Sequence, residues 1–353
     1  MAENNVKSHD NQVIAIIGPT SSGKSDMAIK LAKKFNGEIV SADSRQIYKE
    51  LNLCTGKITK KEQNIVRHHC LDIVTPPKRW KGGVQPFTLA DYRTCADRAI
   101  QDIWSRGKVP FLVGGTQLYV RAVLYDYDIP SVPPDHEYRN RLEKKSLAVL
   151  QKQLYQADTN MRDWNDRDNK RRVMRALEIY RATKRKPSEW YLQTGRSLHS
   201  GRDDKEGIGM TKRYDCLQLC IDVPRATLYK RIDKRVDERI KKGMIREVER
   251  LRKNGVSKKW LQGLGLESRF ISEYLDSLSS RPLPAAGKMA SLPGSAGGSR
   301  KEMIERLKFA IHHYARRQLT WYRKQNDITY VTSYSQGVRN IKKFMMARMH
   351  LHA

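Results

Sequence analysis

Gly18-Pro-Thr-Ser-Ser-Gly23-Lys24-Ser25 fits the pattern G-x-x-x-x-G-K-[ST]. Such a stretch binds phosphate: successive backbone N–H groups and a helix N-terminus face the anion, and the glycines let the backbone come close. Lys24 adds a point charge, and the Ser25 hydroxyl suits a Mg²⁺ ligand. Gly18, Thr20, Ser21, Ser22, Gly23, Lys24 and Ser25 are therefore the expected phosphate-holding set. An ATPase or GTPase would usually add an acid ending an apolar strand, to hold the metal. The best such run, VPFLV, ends in Gly114-Gly115-Thr116, and Asp72 in CLDIV is a poor substitute. The loop says phosphate without saying nucleotide hydrolysis.

Elements of regular spacing must position this loop. Residues 13–17 (VIAII) form an apolar run ending at Gly18, which predicts a buried parallel strand. From Lys24 to Phe35 the apolar residues recur at helical spacing. Residues 38–42 predict a second strand, ending at Asp43, and 109–113 a third. Strands alternating with helices predict an α/β fold with a parallel, doubly wound sheet. Ligands bind beyond the carboxyl ends of such strands. Three of those ends carry Gly18–Ser25, Asp43 and Thr116, so the three should converge.

Residues 131–200 have another texture: prolines, then a polar helical pattern with no strand. Residues 166–186 hold nine Lys/Arg against three Asp/Glu. The expected organisation is a core over 1–130, a helical insertion over 131–200, the core resumed over 201–330, and a basic tail over 331–353. Residues 227–253 predict one long basic helix, with Leu228, Ile232, Val236 and Ile240 along one stripe. Arg231, Arg235 and Arg239 lie beside that stripe, and Arg239 has a stronger claim than Arg235 to face water. Residues 279–300, rich in Ser, Pro, Gly and Ala, predict a mobile loop.

The 68 Lys+Arg against 38 Asp+Glu give a net charge of +30. So large an excess calls for a polyanionic partner, with nucleic acid first and an anionic membrane surface second. No apolar run approaches the roughly 18 residues that span a bilayer, and no secretory signal is expected. Five cysteines, without a CxxC pair, predict buried thiols in a reducing, cytoplasmic setting and no zinc site.

Several blocks together resemble the tRNA dimethylallyltransferases, also called tRNA isopentenyltransferases. They are GPTSSGKS (18–25), SADSRQIYKELNLCTGKI (41–58), HHCLDI (68–73), FTLADY (87–92), VPFLVGGTQLYVRAVL (109–124), RRVMRALEIYRATKRKPSEW (171–190), RIDKRVDERIKKGMIREV (231–248) and RRQLTWYRK (316–324). The resemblance implies a P-loop NTPase-like parallel sheet with an inserted all-helical subdomain that grips tRNA. It implies transfer of a dimethylallyl group from dimethylallyl diphosphate to N6 of adenosine 37, with Mg²⁺, by one chain acting alone and away from membranes. On that reading Asp43 takes a proton from N6, and Thr116 hydrogen-bonds near the reacting centre. Lys24 and the loop hold the diphosphate, with Arg235 and then Arg231 completing the clamp. Ser44, Arg45 and Gln46 contact neighbouring nucleotides, and Arg171, Arg172 and Arg175 suit RNA phosphates.

The chain departs from the pattern at Gln262–Glu267. The family usually has Q-x-I-G-Y followed by a basic residue there; Leu266 replaces the tyrosine and Glu267 reverses the charge. Two other enzymes fit the loop: a P-loop kinase of a small nucleoside or sugar, and a prenyltransferase of free adenine nucleotides. The basic insertion and the charge favour a polynucleotide acceptor over both, and the complete set of loop, Asp43 and Thr116 argues against a non-catalytic RNA-binding protein.

Overall fold

Apolar runs flanked by turn residues become strands, and amphipathic runs between them become helices. The structure, a computed structural model, describes residues 11–78, 87–126, 132–191, 212–279 and 299–347. In chain order the first elements are β1 (Gln12–Ile17), α1 (Lys24–Lys34), β2 (Gly37–Ser41), α2 (Lys60–Gln63), β3 (His68–His69), α3 (Leu89–Ser105), β4 (Val109–Gly114) and α4 (Gln117–Leu124). There follow α5 (His136–Glu143), α6 (Leu147–Ala157), a 3₁₀ turn (Thr159–Asp163), α7 (Lys170–Thr183) and α8 (Pro187–Tyr191). The chain then forms β5 (Asp215–Ile221), α9 (Arg225–Lys241), α10 (Met244–Lys253), α11 (Lys258–Leu264), α12 (Leu266–Ser279), α13 (Arg300–Tyr322), β6 (Thr329–Val331) and α14 (Tyr334–Met346).

The sheet has the order β3-β2-β4-β1-β5-β6. The registered pairs β1–β4, β2–β4, β2–β3 and β5–β6 are parallel. Register is what builds the site. Val113 of β4 lies opposite both Ile16 of β1 and Ser41 of β2. The segments leaving these three strands, at Gly18, Ala42-Asp43 and Gly115-Thr116, therefore emerge side by side. Gly114 is required there, because a Cβ would come within 2.1 Å of the Ala42 carbonyl oxygen.

Two compact units emerge. One comprises 1–84, 99–116 and 216–353, with the sheet and a core that includes Ile14, Ile16, Phe111, Leu219, Leu228 and Ile232. The other comprises 85–98 and 117–215, with its own core of Leu142, Leu150, Leu154, Met161, Trp164, Val173 and Leu177. This helical unit is larger than the expected insertion over 131–200. Arg213 binds Asp97 through two hydrogen bonds of 2.9 and 2.8 Å and donates to the Val123 carbonyl, which ties 97, 123 and 213 together.

One further expectation is corrected. Residues 227–253 form two helices, because Gly243 at φ 100° breaks the run between α9 and α10. The expected basic tail begins inside β6 and continues into α14, where Ser333 caps the helix and Ile341 is fully buried. Of the expected loop over 279–300, residues 280–298 lie outside the described residues, as do 192–200 of the insertion.

Candidate active site

The loop after β1 is set by its backbone. Ser21 (φ 61°) and Gly23 (φ 90°) both take left-handed conformations, and Lys24 opens α1. A Cβ on Gly18 would come within 2.9 Å of Ser22 Oγ. That hydroxyl is buried and has no partner of its own. α13 braces the loop from outside. The Thr20 N–H donates to Gln318 Oε1 (2.9 Å), Gln318 Nε2 donates to the Gly115 carbonyl (2.9 Å), and the Tyr322 hydroxyl donates to the Gly18 carbonyl (3.3 Å). One glutamine side chain thus joins the loops that follow β1 and β4.

Asp43 leaves β2 in a tight turn. Its Oδ1 accepts the Arg45 N–H (2.9 Å) and the Gln46 N–H (3.4 Å). Oδ2 has no partner among the described residues. The Ser44 N–H donates to Thr116 Oγ1 at 3.4 Å, so the ends of β2 and β4 are joined as well. Lys24, Ser25, Asp43 and Thr116 share one pocket with Thr20, Arg45, Gln46 and Arg235. Gly115 closes its floor, where an added Cβ would sit 3.4 Å from Lys24 Nζ. An adjoining groove runs over Ser21, Ser22, Gly23, Lys24, Ser25 and Arg231.

Of the residues expected from sequence, Lys24, Ser25, Asp43, Thr116 and Arg235 converge in the pocket, with Thr20, Arg45 and Gln46 at its wall. Arg231 donates to the Ser22 carbonyl at 3.1 Å and so lies against the loop from α9. Arg171, Arg172 and Arg175 belong to the helical unit. There Arg171 is exposed, Arg172 pairs with Asp166, and Arg175 is held by Glu178 and the Val132 carbonyl.

The pocket is electrostatically strained toward anions. Burial, then the Arg235 charge, lowers the Lys24 pKa from 10.5 to about 8, against a smaller upward pull from Asp43. Burial, then Arg239, lowers the Arg235 pKa to about 10. Glu267 was the position of reversed charge, and it is an internal ion-pair centre. Only 6% exposed, it accepts from Arg45 Nη1 at 2.9 Å and from Arg239 Nη1 at 3.2 Å. Burial alone would raise its carboxyl pKa, but Arg45 and Arg239 outweigh that and hold it below the usual carboxylate range. Arg239, expected to face water, is 8% exposed. Sequence reasoning also missed Gln318 and Tyr314 of the pocket wall. Gln318 lies in the RRQLTWYRK block, which the resemblance marks without assigning a role, and Tyr314 lies two residues before it.

Comparison with known proteins shows the family. The model of the IPP transferase family matches residues 46–325, and that of the isopentenyl transferases matches 11–74. The chain belongs to the IPP transferase family. The tRNA dimethylallyltransferases of Anoxybacillus flavithermus and Geobacillus thermodenitrificans are similar to it, at 35% identity over 348 residues and 33% over 352. Each alignment covers 97% of this chain and 98% of the relative. Among solved structures, the tRNA isopentenylpyrophosphate transferase from Bacillus halodurans matches with a TM-score of 0.64 at 28% identity, over 97% of this chain and 99% of the other. A eukaryotic dimethylallyltransferase acting on tRNA matches with a TM-score of 0.69 at 27% identity, over 93% of this chain and 75% of the other. In this IPP transferase the pocket lies in the unit that holds the sheet, and no helix among the described residues is long and apolar enough to cross a membrane.

Proposed function

We propose that the chain transfers the dimethylallyl group from dimethylallyl diphosphate to N6 of adenosine 37 in the anticodon loop of tRNA, releasing diphosphate. Its family makes it a prenyltransferase that modifies tRNA. The observation that carries the finer reading is the meeting of Lys24 and the phosphate loop with the Asp43 carboxylate in one pocket.

An allylic C–O bond breaks readily when the charge growing on the departing diphosphate is stabilised. Lys24, the loop N–H groups, Arg231 and Arg235 supply that stabilisation without moving. Adenine N6 is a poor nucleophile, because its lone pair is delocalised into the ring. Asp43 Oδ1 is committed to two backbone N–H groups, which fixes the carboxylate and leaves Oδ2 to accept an N6–H. As N6 bonds to the allylic carbon, the C–O electron pair leaves with the diphosphate and the N6 proton passes to Asp43. Thr116, tied to Ser44 at the same edge, is placed to hydrogen-bond near the reacting atoms. Adenosine 37 must leave the anticodon stack to enter the pocket. Ser44, Arg45 and Gln46 follow Asp43 and suit the neighbouring nucleotides. Arg171 on α7, which is exposed, suits a backbone phosphate, a contact that positions RNA without choosing its sequence, while Arg172 and Arg175 beside it hold Asp166 and Glu178.

The residues present fit Mg²⁺. No group of three His, Cys, Asp or Glu that could hold a metal exists among the described residues. Ser25 would therefore be the protein ligand, with diphosphate oxygens and water completing the shell, as Mg²⁺ favours. Bound there, the ion would supply charge neutralisation of the departing diphosphate. The tRNA substrate and the free thiols favour a reducing compartment, the cytoplasm.

The test is transfer of radiolabel from dimethylallyl diphosphate with Mg²⁺ to an unmodified tRNA carrying A36-A37-A38, alongside free AMP. Label should enter the tRNA and not AMP, and Asp43→Ala should lower the rate by about 10²- to 10⁴-fold, the usual scale of a positioned base. Label on AMP alone would move the acceptor to free nucleotides. A phosphoryl group moved from ATP, with no prenyl transfer, would sink the reading in favour of a kinase.

A further inference from the structure

Gly56 marks a place where two guanidinium groups meet. It has φ +60°, and an added Cβ would lie 2.2 Å from Arg235 Nη2 and 3.2 Å from Arg239 Nη2. Two cationic nitrogens therefore converge over one bare α-carbon. Like charges this close repel, and among the described residues no carboxylate is bonded to either Nη2. Arg235 Nη2 donates to the Gly56 carbonyl at 3.1 Å. Arg239 is more fully fixed: its Nε donates to the Leu53 carbonyl and its Nη1 to Glu267. Its Nη2 is buried and has no partner among the described residues. A buried guanidinium N–H left unsatisfied is costly, so such a donor marks the seat of a missing acceptor.

The surroundings say which acceptor. Arg239 borders both the pocket holding Lys24 and the groove that runs past the phosphate loop to Arg231. The loop carrying Gly56 is itself pinned, with Glu247 accepting the N–H groups of Asn52, Leu53 and Cys54 at 2.9, 2.8 and 2.8 Å. The seat is thus preformed and faces the same space as the loop amides.

Resting on the proposed donor site, we propose that Arg239 is a further phosphate-binding residue, whose Nη2 donates to an oxygen of the donor's diphosphate beside Arg235. Glu267 acts as a positioning residue, holding the Arg239 guanidinium flat against the Leu53 carbonyl so that Nη2 faces the seat. The reversed charge at Glu267 then has a physical meaning. The carboxylate is matched by Arg239 from α9 and Arg45 from the turn after β2, and the pocket keeps its positive excess.

Inorganic diphosphate with Mg²⁺ is the probe, titrated calorimetrically into the wild-type chain, Arg239→Gln and Arg239→Lys, with unmodified tRNA titrated in parallel. Arg239→Gln should weaken diphosphate binding by about 10- to 100-fold, the usual range for a charge-assisted hydrogen bond. Arg239→Lys, which keeps a partner for Glu267, should fall between, and tRNA affinity should hold for both. Melting temperatures without diphosphate check the fold; if Arg239→Gln melts early, the lysine variant and its diphosphate-induced rise in Tm decide. Equal diphosphate affinity in wild type and variants would overturn the assignment. Weakened tRNA binding with unchanged diphosphate binding would overturn it too, giving the seat to an RNA phosphate. A wild-type chain that binds no diphosphate would instead remove the donor-site reading itself.

Discussion

Glu178 in the helical unit and Glu267 in the sheet unit are both buried carboxylates that each hold two arginines, and their surroundings differ in one respect. Glu178 accepts Arg139 Nε and Nη2 at 2.8 and 2.7 Å, Arg175 Nη1 at 2.5 Å, and the Asp135 N–H at 2.7 Å. Arg175 gives its other Nη to the Val132 carbonyl. Four donors fill the two oxygens, and the cluster is closed. Around Glu267, Arg239 retains a buried Nη2 with nothing to bind. The same arrangement is scaffold in one unit and site in the other, and the count of unspent donors tells them apart.

The largest effect is expected at the closed cluster. Glu178→Ala leaves Arg139 and Arg175 facing a buried gap and should cost about 3 kcal/mol in urea denaturation, as removal of one partner from a buried ion pair does. Diphosphate affinity should not move. A variant that loses both would show that Glu178 also serves the site, and the contrast would fail.

The open cluster makes a prediction in pH. Lys24 in the free protein carries a pKa of about 8, lowered by burial and then by Arg235. A bound diphosphate favours the charged amine and raises that value. Affinity for diphosphate should therefore be level up to about pH 8 and fall above it, approaching tenfold per pH unit. Binding at pH 8 to 9 should take up a proton, read by calorimetry in two buffers of different ionisation enthalpy. A flat profile to pH 9.5 would mean that Lys24 stays charged without a ligand.

The smallest effect is expected from Glu267→Gln, which keeps the shape and removes the charge. The KM for dimethylallyl diphosphate should rise roughly threefold, as one charge-assisted contact weakens to a neutral one. The carboxyl pKa is depressed in the folded chain, so its contribution is present at neutral pH and fades as pH falls through the ordinary carboxylate range. The variant should accordingly show a shallower loss of stability on acidification. An unchanged acid limb would mean that Glu267 carries little of the cluster's charge balance.

Much of this was legible in the sequence. The phosphate loop, β1, β2, β4 and the convergence of Asp43 with Thr116 follow from local patterns: glycine spacing, apolar runs, and the rule that parallel strands deliver their loops to one edge. The break at Gly243 had a signal too, since a basic pair followed by glycine is a common helix ending. The burial of Arg239 had none. A basic stripe reads as a wet face, and only Glu267 of α12 and the carbonyl of Leu53, both distant in the chain, turn it inward. The bracing of the loop by Gln318 and Tyr322 was hidden for the same reason, because a polar residue on a helix does not announce a partner 298 positions away.

That bracing has a consequence for biogenesis. The loop at 18–25 is synthesised well before α13, yet the Thr20 N–H and the Gly18 carbonyl meet their partners only when Gln318 and Tyr322 arrive. Contacts of such sequence separation form late and slowly. A nascent chain halted before α13 would hold the sheet's first strands with an unbraced loop. Capacity to bind diphosphate should then arise in a single step, as the ribosome releases the segment that follows residue 322.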